Sequence, residues 1–146
     1  MERLFEWSSF AVMPFWALMV LLPRARVTHA VMRTPLAPAL FALLYAALAL
    51  PRMGALLPQL ASPDLPAIAA LLGTPEGATI GWVHYLAFDL FVGRWAYLDA
   101  QERGLSPWMM APVLLLMLMF GPLGLLAYLA LRAVSSRAVA TAEVRS

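Results

Sequence analysis

The chain has 146 residues, of which 63% are hydrophobic and only 12% are charged, and its mean hydropathy is +0.80. Small soluble domains keep a large share of their surface in water, so this composition excludes an ordinary soluble domain and predicts a chain whose solvent is largely lipid. The net charge of +2, with scattered arginines and no cysteine, gives no sign of a nucleic-acid partner or a disulfide framework.

The first apolar run extends from Phe5 to Leu22 and is long enough to cross about 30 Å of hydrocarbon. Glu2 and Glu6 stand where a signal peptide would carry positive charge, and no small-x-small cleavage site follows the run. We therefore interpret it as a retained membrane helix. The loop that follows, Pro23 to Pro35, is short and basic and carries Arg24, Arg26, His29 and Arg33.

The second apolar run extends from Leu36 to about Leu57, and Pro51 and Arg52 are predicted to kink or end it. The longer connection after it contains the stretch SPDLPAIAALLG, which is typical of a short helix. Ser62 is a suitable cap, Pro63 suits the first helical position and Gly73 suits the end. We expect the apolar residues 65–72 to form a helix that rests at the membrane interface.

The third run extends from Ala78 to Leu98, and the fourth from Pro107 to Leu131 with a kink at GPLG, residues 121–124. The predicted fold is therefore all-α: a polytopic membrane protein with four transmembrane helices and a short interfacial helix in the second loop. Residues 1–131 form a single membrane domain and residues 132–146 a polar tail. Arginines divide five to four between the two sides, which leaves the orientation open.

Three ionisable residues, His84, Asp89 and Arg94, lie within the third run at intervals of five. On a helix they point in different directions at different depths, so they cannot form one compact triad. Asp89 falls near the middle, where a charged carboxylate costs about 2.5–3.5 kcal/mol. It must be neutral, paired with a group such as Tyr45, Ser8, Ser9 or a loop arginine, or facing a wet cavity.

Each of these residues has a structural and a functional interpretation. Asp89 is either a hydrogen-bonding group that locks helix packing or a proton-transfer group. His84 is either an interfacial histidine bonded to a carbonyl or a partner of that carboxylate. Arg94 is expected to meet a carboxylate or to extend to the interface. Asp99 shares a helix face with His84, Phe88 and Trp95. His84, Asp99 and Glu102 are too far apart along the helix axis to bind one metal ion, and no cofactor is assigned.

The runs GWVHYLAFDLFVGRW, YLDA and FGPLGLLAY resemble those of the membrane proteins related to the plant abscisic-acid-deficient-four protein, which is associated with neoxanthin synthesis. The resemblance covers most of the chain. His84, Asp89, Arg94 and Asp99 match the polar signature of that family. The resemblance implies a carotenoid-linked activity: in plants, conversion of violaxanthin to neoxanthin by opening a ring epoxide and forming an allene, without net redox change.

Such an isomerisation needs an acid and a base, and we assign these roles to Asp89 and His84, in an order that the sequence leaves open. The arginine-only basic composition and the lack of a plastid transit peptide indicate a bacterial inner-membrane protein. The predicted partner is a membrane lipid or an isoprenoid of the carotenoid type. The residues predicted to bind it are Arg94, Asp99, Tyr85, Phe88 and Trp95.

Two other functions stay open. One is a non-catalytic membrane bundle that binds a lipid, a pigment or a partner protein, for which a groove is sufficient. The other is a proton or ion pathway, which is disfavoured because the second and fourth runs supply few polar groups, namely Tyr45, Arg52 and Tyr128. An enzyme requires Asp89 in an enclosed pocket with a second titratable group, and we expect His84 and Asp89 to open towards one cavity.

Overall fold

The computed structural model describes the backbone of residues 1–143 and the side chains of residues 1–135, and all regular secondary structure in this part of the chain is helical. The all-α prediction is therefore confirmed. In chain order the helices are α1 Glu2–Leu21, α2 Arg26–Arg33, α3 Leu36–Ala49, a short 3₁₀ helix Leu50–Arg52, α4 Met53–Ala61, α5 Leu65–Leu72, α6 Pro75–Glu102, α7 Pro107–Met119 and α8 Gly121–Glu143.

Two helical segments in the described residues are long and apolar enough to cross a membrane: Glu2–Leu21, and Leu36–Ala61, which combines α3, the 3₁₀ helix and α4. Only 22% of the first apolar window and 17% of the second are buried. A core helix of a soluble protein would be mostly buried, so these exposed apolar surfaces favour contact with lipid. The predicted break at Pro51 is confirmed, because the helix passes through the 3₁₀ turn there.

The other two predicted spans differ from expectation. α6 is long enough to cross a membrane, but its residues are not apolar enough to make it a candidate membrane span. The fourth predicted span is not one helix, because Phe120 lies outside the helical region at φ −140° and ψ 62° and separates α7 from α8. α7, with 13 residues, rises only about 20 Å, less than the hydrocarbon thickness. One continuous helix over residues 107–131 is therefore wrong, and four membrane crossings stay a proposal.

The corner between α7 and α8 depends on glycine. The two helices pack against each other, and a Cβ atom on Gly124 would overlap the backbone of Met117. The GPLG motif thus makes a break between two helices instead of the predicted kink. α8 then continues past Leu131 to Glu143, so much of the predicted polar tail is helical, while residues 144–146 lie outside the described residues.

The predicted extent of the loop helix, residues 65–72, is confirmed, but its cap is not Ser62. Asp64 caps α5, and its Oδ1 accepts a hydrogen bond from the Ala67 N–H at 2.9 Å. Ser62 instead ends α4, so Pro63 cannot be the first residue of α5. Gly73 closes the helix as predicted.

The chain divides into two compact units. We call Met1–Pro14 with Pro35–Phe88 the His84 unit, and Phe15–Thr34 with Asp89–Ser146 the Asp99 unit. The His84 unit has a core of Ala49, Leu56 and Ile80. The Asp99 unit buries the Trp16 ring against Gly93, where an added Cβ would lie 2.9 Å from the ring atom Cζ3.

Candidate functional site

The His84 unit contains a pocket of about 230 Å³ with walls from the end of α3, from α4 and α5, and from the first turns of α6. Its aliphatic lining consists of Leu56, Leu60, Ile68, Leu71, Leu72 and Ile80. The side chains in its lining that carry polar atoms are Tyr45, His84 and Tyr85. The pocket is suited to an apolar ligand, with a few polar groups that can orient it.

His84 contacts three aromatic rings. Its imidazole centroid lies 5.4 Å from the ring of Tyr45, 6.0 Å from that of Tyr85 and 4.7 Å from that of Phe88. The side chain is exposed and makes no hydrogen bond to another described residue, so the carbonyl partner considered from the sequence is not observed. Both ring nitrogens are therefore available to a ligand.

The sequence predicted Tyr85 and Phe88 as substrate-binding residues. The structure places Tyr85 in the pocket lining and Phe88 against His84, and both side chains are exposed. Tyr45 is a pocket residue that sequence reasoning considered only as a partner of Asp89. Its sequence signal was weak, because a single tyrosine in an apolar helix is commonly a packing residue.

Asp89 lies in the Asp99 unit and is partly buried. Its carboxylate lies against Gly121, the first residue of α8: a Cβ atom there would be 2.9 Å from the carboxylate carbon and 3.2 Å from Oδ2. The N-terminal end of a helix carries partial positive charge and is a favourable place for a carboxylate. Of the partners considered from the sequence, Ser8 and Ser9 donate their hydroxyls to the Phe5 carbonyl.

Arg94 binds the C-terminal end of α2. Its Nε donates to the carbonyl oxygens of Met32 at 2.6 Å and Thr34 at 3.1 Å, and its Nη2 donates to that of Arg33 at 3.1 Å. The last carbonyls of a helix have no partner within the helix and attract cations. The structure therefore gives Arg94 backbone carbonyls as partners in place of a carboxylate, and its contact with the lipid interface stays a prediction.

Asp99 is the centre of a polar network. Its Oδ2 accepts hydrogen bonds from Arg103 at 2.8 Å, from Arg132 at 2.9 Å and from the hydroxyl of Tyr128, which is fully buried. Partial burial alone would raise the pKa of Asp99, but the hydrogen bonds from Arg103, Tyr128 and Arg132 outweigh it and lower this pKa to about 2. Asp99 is therefore ionised at neutral pH.

Trp95 completes this network. Its ring meets the Tyr128 ring edge to face at 5.3 Å, and the Arg132 guanidinium lies 5.9 Å from its centroid. The sequence placed Trp95 and Asp99 on one face of α6 but missed Tyr128 and Arg132 as their partners. The available signal was that residues 128 and 132 are four apart and share a face of α8.

The seven predicted site residues thus occur in two groups. His84, Tyr85 and Phe88 belong to the His84 unit, where the first two line the pocket. Asp89, Arg94, Trp95 and Asp99 belong to the Asp99 unit, where they contact α8 or the end of α2. The expectation that His84 and Asp89 open towards one cavity stays a prediction.

Comparison with known proteins places the chain in a family. "Protein ABA DEFICIENT 4, chloroplastic" of Arabidopsis thaliana is 27% identical over 141 residues, which cover 91% of this chain and 62% of the relative. The chain therefore spans less than two thirds of that relative's length. No solved structure is significantly similar. A family model described as ABA DEFICIENT 4-like matches residues 3–128, nearly the whole chain, and the chain therefore belongs to the ABA DEFICIENT 4-like family.

Proposed function

We propose that this chain is a multi-pass membrane protein that binds a carotenoid-type isoprenoid and isomerises it by proton transfer. The observation that carries the proposal is His84 on an apolar pocket, with aromatic contacts but no hydrogen bond to another described residue. Family membership and two exposed apolar helices support it. Placement in a bacterial inner membrane is part of the same proposal.

His84 is the first proton-transfer group in this proposal. An imidazole is the side chain best suited to take up or release a proton near neutral pH. On the wall of an apolar pocket, it can transfer a proton to or from the reacting atoms of a bound isoprenoid. Tyr45, Tyr85 and Phe88 contribute flat ring surfaces beside it. Such rings suit the conjugated plane of a polyene.

Asp89 is the second proton-transfer group. Its contact with Gly121 fixes the carboxylate at the start of α8 and leaves no room for a Cβ atom there. For Arg94, Trp95 and Asp99 the observed contacts support a positioning role rather than direct substrate binding. Arg94 holds α2, while Trp95 and Asp99 hold α8, so all three fix the helix that carries Asp89.

The reaction balances without a co-reactant. The acid protonates the epoxide oxygen and the C–O bond breaks, so that the oxygen becomes a hydroxyl. The base takes a proton from the neighbouring carbon, and the electron pair of that C–H bond forms the second double bond of the allene. One proton is delivered to the oxygen and one is taken from the carbon, so the product has the same atoms and electrons as the substrate. Either Asp89 or His84 can serve as the acid and the other as the base, because each can donate or accept one proton.

The test is conversion of an epoxy-carotenoid by the purified full-length protein in mild detergent, with the isomeric product separated by chromatography and identified by its unchanged mass. Asp89→Asn is nearly isosteric but cannot transfer the proton, so we expect it to retain pigment and convert it about 100- to 10,000-fold more slowly. Asp64→Asn is the matched control, because asparagine also caps helices well.

A non-catalytic binding protein is the second candidate, and the largely aliphatic lining of the pocket favours it. The same experiment separates the two functions. Pigment retained by the parent and both variants without conversion supports the binding protein. Conversion by the parent that Asp89→Asn leaves unchanged removes the proton-transfer role of Asp89.

A further inference from the structure

The segment that joins the first two apolar segments has an unusual charge. Residues 23–35 contain Arg24, Arg26 and Arg33 and no acidic residue, whereas the connections 62–74 and 100–106 each contain a carboxylate. α2 occupies most of this segment and lies between the two helical segments that could cross a membrane. If both cross, the segment must lie at the membrane surface, because its neighbours in the chain begin and end there.

α2 is amphipathic. It buries Thr28 and Met32 completely on one side. On the other it exposes Arg26 and Arg33, as well as Val27, which has 52% of its surface accessible. A short helix with arginines and an exposed apolar residue on its outer face is typical of helices that lie in the headgroup layer of a membrane.

The segment is held in place by hydrogen bonds that use none of its own arginine side chains. The Tyr97 hydroxyl and the Gln101 amide both donate to the Pro23 carbonyl, at 2.6 and 3.0 Å, and the Thr28 hydroxyl donates to that of Leu22 at 2.7 Å. Arg94 binds the carbonyls at the other end of α2. None of these hydrogen bonds uses the side chain of an arginine of the segment, so Arg24, Arg26 and Arg33 keep their charges exposed on its outer face.

The arginines of the segment differ in their partners from Arg52, Arg103 and Arg132. Arg52 pairs with Glu76, and Arg103 and Arg132 pair with Asp99. By contrast, the guanidinium groups of Arg24, Arg26 and Arg33 have no hydrogen bond or ion pair with any side chain or carbonyl in residues 1–135. Guanidinium groups bind phosphate oxygens with two parallel hydrogen bonds, so three exposed ones on one short segment match a layer of phosphate groups.

We propose that residues 23–35, with α2 at their centre, form a binding surface for the headgroups of anionic phospholipids. The inference rests on the membrane placement within the proposed function and adds a partner to it. The phosphate groups bind Arg24, Arg26 and Arg33, while Val27 meets the upper part of the acyl chains. The surface fixes the loop to one leaflet and thereby the depth of the helices on either side of it.

The experiment uses the full-length protein in neutral maltoside micelles and measures binding of fluorescently labelled phosphatidylglycerol by anisotropy. Labelled phosphatidylcholine and unlabelled glycerol phosphate are the comparison ligands. We expect phosphatidylglycerol to bind more tightly than phosphatidylcholine, and glycerol phosphate to compete poorly because it lacks acyl chains. Each substitution Arg24→Gln, Arg26→Gln and Arg33→Gln should raise the apparent Kd for phosphatidylglycerol about fivefold.

The matched control is a triple variant with the same change of net charge elsewhere, Arg3→Gln with Arg137→Gln and Arg145→Gln. It should bind phosphatidylglycerol as the parent does, whereas the triple variant of the loop loses the preference over phosphatidylcholine. Equal losses in the two triple variants, or an unchanged Kd in all three single variants, overturn the proposal. So does glycerol phosphate that competes as well as the lipid, which would indicate a site for a soluble phosphate.

The outcome is distinguishable from failure of the proposed function. Carbonate extraction of cell membranes tests the membrane placement directly, and a chain released by carbonate contradicts that placement. Conversion of an epoxy-carotenoid is measured on the micelle preparation that is used for the lipid-binding assay. A chain that is retained in the membrane and converts the pigment but shows no lipid preference contradicts only the proposed headgroup surface.

Discussion

Two polar centres on α6 differ in how their groups are satisfied. Asp99 accepts hydrogen bonds from two arginines and from a fully buried tyrosine. The ring of Trp95 packs against the ring of that tyrosine. His84 makes ring contacts with Tyr45, Tyr85 and Phe88 but no hydrogen bond to another described residue, and it borders a pocket. The sequence made His84 a candidate catalytic residue and Asp99 a candidate substrate-binding residue, and it did not show this difference.

This difference indicates a structural role for the Asp99 network and a functional role for His84. A network whose donors and acceptors are satisfied stabilises one arrangement of helices and leaves little capacity for a ligand. An imidazole that lies on an apolar pocket and makes no hydrogen bond to the described residues contributes little to stability and retains its capacity to bind or react. We therefore expect substitutions at the Asp99 network to change the free energy of unfolding and substitutions at His84 to change function.

The largest expected effect is at Asp99. Asp99→Asn removes the charge that Arg132 and the buried Tyr128 hydroxyl contact, and it should lower the free energy of unfolding by about 2–4 kcal/mol. Denaturant titration in detergent micelles measures it. Glu102→Gln, an exposed carboxylate one turn along, is the control and should change stability by less than about 0.5 kcal/mol. Equal effects of the two variants would contradict a structural network.

The dependence of stability on acidic pH is a second test of the Asp99 network. The pKa of Asp99 is about 2 in the folded chain, below the value of about 4 expected when it is unfolded. A lowered pKa in the folded state stabilises the fold above the unfolded value, and this contribution disappears as the pH falls from about 4 to about 2. Stability should therefore decline over that range in the parent, and less steeply in Asp99→Asn. Parallel pH profiles for the two proteins contradict the prediction.

A smaller loss of folding stability is expected from a substitution at Gly121. An alanine there would place its methyl group against the Asp89 carboxylate, so Gly121→Ala should destabilise the fold by about 1–3 kcal/mol. Gly54→Ala is the matched control, because a Cβ at Gly54 meets no atom within 4 Å and alanine favours the helix. Thermal unfolding of both variants checks the prediction.

A double variant tests the cause. Asp89→Ala removes the carboxylate that the new methyl group would meet, so Gly121→Ala should be less harmful in the Asp89→Ala background than in the parent. The coupling energy between the two substitutions measures this contact. If the two effects add without coupling, the loss at Gly121 arises from another neighbour.

The smallest expected effect on stability is at His84. Because the imidazole makes only ring contacts with the described residues, His84→Gln should change the unfolding free energy by less than about 0.5 kcal/mol. Circular dichroism on heating checks this. A loss as large as that of Asp99→Asn would show that His84 is a structural residue and would remove the contrast between the two centres.

Much of the fold followed from local patterns. The apolar runs predicted α1, although from Phe5 and not from Glu2, and α3 from Leu36, while Pro51 predicted the break after Ala49. The extent of α5 also followed from its sequence. These features depend on hydropathy and on the missing N–H of proline, which act within a few residues.

The partners could not be predicted, because they depend on contacts between distant parts of the chain. Asp99 was recognised as ambiguous, but Tyr128 and Arg132 are about thirty residues away, and nothing in their spacing identifies α6 as their neighbour. The break at Phe120 was missed for a similar reason. The GPLG motif suits both a kink and a corner, and only the close packing of Gly124 on Met117 decides between them.

The most direct test of the central claim is the rate of epoxy-carotenoid conversion by His84→Gln and by its matched control His29→Gln, each at the same pigment loading. His29 lies in the Asp99 unit, and its ring is 6.0 Å from that of Tyr97. The account predicts that His29→Gln converts the pigment at the parent rate, while His84→Gln is folded and loaded but about 100-fold slower or worse. Equal conversion rates in the two variants would contradict it.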